Sequence, residues 1–98
     1  MRDRRRAPRQ YFVVPVHIDA SEKKGRVGVT CNASATGMLL GTQSRFEVGQ
    51  SVELRFKPTL EAAWLSVRGR VVRIEIDEAR ELFRRLIAID FERSGSSA

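Results

Sequence analysis

Leu65-Ser66-Val67-Arg68-Gly69-Arg70-Val71-Val72-Arg73-Ile74-Glu75-Ile76 is the stretch on which the fold turns. Its apolar residues recur with a period of two, the signature of a half-buried strand. The phase changes midway. Leu65, Val67 and Val71 fit one parity; Val72, Ile74 and Ile76 fit the other. One extra residue between Gly69 and Val72, a β-bulge, accounts for the change and bends the strand, as happens where a strand rounds the corner of a barrel.

Outward from this stretch the same period recurs. Phe12, Val14, Val16 and Ile18 alternate with Val13, Pro15 and His17; Val27, Val29 and Cys31 alternate with Gly28 and Thr30. Val52, Leu54 and Phe56 alternate with charged residues, and Ile87, Ile89 and Phe91 with Ala88, Asp90 and Glu92. Turn-forming clusters separate the runs: Glu22-Lys23-Lys24-Gly25, Ala35-Thr36-Gly37 and Glu47-Val48-Gly49-Gln50. Short antiparallel strands with regular turns predict an all-β fold, a small closed antiparallel β-barrel of about six strands over residues 11–93. Asp77 to Arg85 reads as a short capped helical turn. Residues 1–10 read as a flexible basic arm and residues 94–98 as a disordered tail.

Ninety-eight residues make one domain with a modest core. No apolar run is long enough to span a membrane, and the charged start leads into no signal-peptide stretch. A single cysteine, Cys31, fits a cytoplasmic setting and falls on the apolar phase of its strand, as a small core residue would. Residues 1–10 carry +4 of the +6 net charge, so the excess sits on the arm and the body is close to neutral. Such an arm suits an anionic ligand. One histidine, His17, offers no multi-imidazole metal site, and no phosphate loop of Walker type exists. Asp90 and Glu92 share a strand face and read as a solvated surface. Neither an enzyme nor a metal protein is expected.

Two short patterns carry chemistry. Arg5-Arg6-Ala7-Pro8-Arg9, preceded by Arg4, sets two arginines four apart, and Pro8 disfavours a helix through them. Asn32-Ala33-Ser34-Ala35-Thr36-Gly37 leaves the strand that ends at Cys31; Asn and Ser before a Gly predict a side-chain-stabilised turn. In this order, RxxxR and then [D/N]xSxxG ahead of a β-barrel, the two resemble the PilZ family. Gly69-Arg70-Val71-Val72-Arg73 and Ala88-Ile89-Asp90-Phe91-Glu92 are similar to two later strands of that family, and the resemblance covers residues 4 to 93.

The resemblance implies a receptor module for cyclic di-GMP that changes shape on binding and signals to a protein effector. A guanidinium matches guanine O6 and N7 bidentately, stacks on a purine and binds phosphate oxygens. Arg5 and Arg9 are then the clamps and Asn32 meets guanine N1–H and N2–H. Ser34 contacts a phosphate or base amine, and Gly37 keeps the turn tight against the ligand. Arg4 implies two intercalated ligands per chain, whose four phosphate charges need added positive charge. Arg73, outside the barrel after the parity change, is placed to stack on a guanine or else to pair with Glu75 or Asp77. Three departures stand out. Asn32 occupies a position where Asp is commoner, Ala88 or a neighbour replaces a frequent Gly, and the family's C-terminal helix is short or absent. Two other readings remain. One is a degenerate PilZ domain that binds only protein. The other is a small basic barrel binding RNA or DNA, against which stand the near-neutral body and the few aromatics, Phe46, Trp64 and Tyr11, available for stacking.

Overall fold

The computed structural model describes residues 13–92. Six strands form: β1 (Pro15–Asp19), β2 (Arg26–Ala33), β3 (Gly37–Thr42), β4 (Ser51–Phe56), β5 (Leu65–Ile76) and β6 (Arg85–Phe91). Every pairing is antiparallel, and the order β1-β2-β3-β6-β5-β4 closes on itself through β1 and β4. The expected closed barrel is what forms, with no helix among the described residues. Arg5, Arg9 and the rest of the arm, and the 94–98 tail, lie outside those residues.

The long strand β5 carries the predicted bulge. Val71 pairs with Ile89, but the next partners are Arg73 and Ala88, so Val72 is the extra residue. Val71 is fully buried before it, and Ile74 packs against the core after it. The core is built from the inward phases of all six strands. Ile18, Leu40, Leu54, Ile87, Ile89, Val16 and Val71 are its largest enclosed apolar side chains.

Strand β2 reverses the expected parity. Val27, Val29 and Cys31 face outward, whereas Gly28 and Thr30 are buried. Neighbouring strands cross closely there. A Cβ on Gly28 would lie 2.7 Å from the Gly41 carbonyl oxygen and 3.2 Å from Ile18 Cδ1. The buried hydroxyls serve the backbone: Val14 N–H donates to Thr30 Oγ1 at 3.0 Å, and Thr42 Oγ1 donates to the Val27 carbonyl at 3.0 Å. Apolar patterning cannot see this, because two small or hydroxylated residues took the inner face. A Thr30→Val chain keeps the shape but leaves the Val14 N–H without that acceptor. It is expected to lose about 1–2 kcal/mol of stability in a denaturant titration.

Three further readings are corrected. Cys31 is no core residue; it is the extra residue of a second bulge, only partly buried, with Arg80 Nη1 donating to its Sγ at 3.8 Å. Asp77 to Arg85 makes no helical turn. The Ala79 N–H donates to Asp77 Oδ1 and the Arg80 N–H to the Asp77 carbonyl, closing a tight turn. Beyond it Phe83 takes φ 57° while its N–H donates to Gln43 Oε1, which ties the loop to the end of β3. Phe46, read as an aromatic open to bases, is buried in the core.

Candidate functional site

The two bulges decide what the outer wall presents. Asn32 has the parity of buried Thr30, and Arg73 that of buried Val71; in regular strands both would point into the core. The extra residue Cys31 turns Asn32 outward while Ala33 returns to the interior opposite Met38. The extra residue Val72 does the same for Arg73. Each bulge thus moves a polar side chain onto the surface without breaking the core phase.

The exported residues fall in one row. Asn32 pairs with Leu39, Leu39 with Ala88, and Ala88 with Arg73. The row crosses β2, β3, β6 and β5 and spans three strand spacings, about 14 Å. Leu39 and Ala88 form its apolar floor between two polar ends. A second row, one step along β3 and β6, sets Gly37 beside Asp90 and Asp90 beside Arg70. Asn32, Leu39, Ala88, Arg73, Gly37 and Asp90, but not Arg70, line a depression of about 290 Å³ that also includes Ser34. Four sequence-predicted site residues, Asn32, Ser34, Gly37 and Arg73, are therefore brought together. Arg4, Arg5 and Arg9 lie outside the described residues.

The Ser34–Gly37 turn is locked by its own groups. The Ser34 N–H donates to the Gly37 carbonyl at 2.9 Å, and the Thr36 N–H donates to Ser34 Oγ at 3.3 Å. The turn is stabilised by Ser34 and Thr36 and not by Asn32, because β2 runs on to Ala33 and Asn32 belongs to the strand. Among the described residues no hydrogen bond engages the Asn32 side chain. Gly37 is required by a close approach: a Cβ there would lie 2.5 Å from the Ile89 carbonyl oxygen. Its tightness is thus against β6.

Arg73 Nε donates to Glu75 Oε2 at 3.0 Å, with both side chains more than half exposed. An ion pair so exposed is worth about 0–1 kcal/mol and yields readily to a better partner. Asp90 was read from sequence as solvated surface. It is exposed, but it also lines the depression, and among the described residues no ion pair or hydrogen bond holds its carboxylate. No period-two argument could single it out, since only the cross-strand register sets it beside Gly37. Among the described residues no cluster of acidic, histidine or cysteine side chains is arranged to hold a metal ion.

A larger apolar hollow, about 630 Å³, opens at the barrel end between Met38, Phe56, Leu65, Val67 and Phe91, and it shares Ser34 and Met38 with the depression. Trp64 lies on the other side of the barrel, over His17 of β1 at 5.7 Å, with Lys57 Nζ 5.7 Å from its ring.

Comparison with known proteins follows the same lines. Among curated protein sequences none matches the chain. The structure is similar to that of the Bacillus subtilis inhibitor of motility (MotI/DgrA), with a TM-score of 0.72 and 21% identity over 96% of this chain; it spans only 45% of that protein. It is also similar to the PilZ domain of CeSA from a cellulose-synthesizing bacterium, with a TM-score of 0.62 and 20% identity over 90% of this chain and 84% of that one. At these identities the likeness concerns the fold. The PilZ domain family model, in turn, matches residues 3–96, which takes in most of the arm, the Asn32–Gly37 motif and all six strands, and the chain belongs to the PilZ domain family.

Proposed function

We propose that this chain is a non-catalytic, cytoplasmic receptor for cyclic di-GMP that passes the signal to a protein partner. The observation that carries the reading is the row Asn32–Leu39–Ala88–Arg73. It offers an amide for a base edge, an apolar floor for a purine face and a guanidinium for stacking or for phosphate. The depression is shallow for a ligand with two guanines, as cavities for small molecules hold about 300–1,000 Å³. A further wall is needed, and the arm supplies the right chemistry for it. The Val14 and Thr30 backbones are bonded, which puts Val14 at the end of the barrel where Asn32 stands. Arg9 is four residues before Val13, within a reach of roughly 14 Å.

Placing that arm over the ligand would change the surface beside Ser34, which also borders the apolar hollow. That shared border is a route from ligand to partner. The nucleic-acid reading is weaker. Residues 13–92 hold twelve Lys or Arg against eleven Asp or Glu, and Trp64 lies across the barrel from the depression. Calorimetric titration with cyclic di-GMP, with GTP and single-stranded DNA as controls, tests the proposal; heat from the cyclic dinucleotide alone is expected, and its absence refutes the reading.

Arg4 joins Arg5, Arg6 and Arg9 on the arm, enough positive charge for an intercalated ligand pair. The endpoint expected at protein concentrations well above Kd is two ligands per chain, falling to one in Arg4→Leu, with a steep loss of affinity on adding salt. A one-to-one endpoint in both chains would remove the second ligand from the proposal.

A further inference from the structure

Asn32 poses a chemical problem that the structure answers elsewhere. The recognition edge of guanine carries two adjacent donors, N1–H and N2–H. A carboxylate accepts both, whereas the Asn32 amide has one acceptor oxygen and two donor hydrogens. An amide alone therefore satisfies half of that edge and turns a donor toward the other half.

A carboxylate stands close by. Asp90 is two residues along β6 from Ala88, on the same outer face and about 7 Å away along the strand. Its cross-strand neighbour on β3 is Gly37, which has no side chain to stand between Asp90 and the Asn32 end of the row. The same depression is lined by Asn32, Gly37, Ala88 and Asp90. Arg70, opposite Asp90 on β5, is occupied elsewhere: its Nη1 donates to the Gly49 carbonyl at 3.0 Å. Among the described residues Asp90 is thus an uncommitted acceptor pair at the rim of an apolar floor.

We infer that Asp90 is the specificity-determining residue for the guanine base, accepting from N1–H and N2–H in place of the carboxylate that Asn32 does not provide. The inference rests on the proposed cyclic di-GMP site. The opposing effect is repulsion between Asp90 and the ligand phosphates. At an exposed position water and salt screen that repulsion, while hydrogen bonds to a carboxylate are short-range and survive. The balance favours binding, and its sign is measurable.

The test compares the parent with Asp90→Asn, which keeps the shape and replaces one acceptor by a donor. Each is titrated with cyclic di-GMP and with its inosine analogue, which lacks the 2-amino group. The parent is expected to prefer the guanine ligand by about tenfold, and Asp90→Asn to lose most of that preference by binding cyclic di-GMP about tenfold more weakly. Unchanged or tighter binding of cyclic di-GMP by Asp90→Asn overturns the inference, since Asp90 is then only a repulsive neighbour. Equal weakening toward both ligands overturns it as well, because a merely structural role acts on both. A parent that binds neither ligand refutes the receptor reading itself, an outcome distinct from the other two.

Discussion

A chain carrying Arg5→Ala is expected to bind cyclic di-GMP about thirtyfold more weakly than the parent, Arg9→Ala likewise, and the double variant at least about a hundredfold more weakly. In the proposed site each arginine would give a charge-assisted hydrogen bond to a largely desolvated anion, and losing one costs on the order of 2 kcal/mol. The pair shares one ligand, so the losses need not add. Both residues precede the strands that build the core, so the melting temperature without ligand should match the parent's. Isothermal titration paired with thermal melts makes the check. Full-strength binding by the double variant would place the site elsewhere on the barrel.

The second large effect concerns the core. Ile87 is completely buried on β6, between Leu40 of β3 and Ile74 of β5. Ile87→Ala removes apolar volume where surrounding strands cannot collapse, which costs about 2–5 kcal/mol and lowers Tm by roughly 10–25 °C in a domain of this size. Ile76→Ala, the same change on the same sheet, is expected to cost less than about 1 kcal/mol, since Ile76 is 48% exposed. Both isoleucines look alike in a period-two reading. Comparable losses from the two changes would mean that the β5 bulge does not set the inner face as described.

That pair shows where the sequence was readable and where it stopped. β1, β4 and β6 alternate cleanly, and their buried residues follow the pattern. The β5 bulge was legible because apolar residues stand on both sides of it. The bulge at Cys31 was not: its inner positions are Gly28, Thr30 and Ala33, so the more apolar outer phase imitated a core. β3 was missed as a strand. Met38-Leu39-Leu40 is an unbroken apolar run flanked by glycines, without alternation to mark it, although Met38 and Leu40 are buried. For the site, the motif positions Asn32, Ser34, Gly37 and Arg73 were named from sequence. Their convergence, and the presence of Asp90 among them, depends on β3 and β6 lying side by side, a non-local fact.

The ring order has a consequence for how the chain comes into being. β4 closes on β1, but β3 must find β6, so the β3 edge of the early chain stays uncovered until the last strand is made. At about 5–20 residues per second of synthesis, β3 waits several seconds with one row of backbone groups unpaired before β6 has been made. Folding dominated by such distant pairings is slow, on the scale of milliseconds to seconds. A nascent or truncated chain ending before Arg85 is therefore an open sheet with two bare edges, a template for joining other chains. Chaperone demand should peak in that interval and end abruptly when the last strand seals the ring.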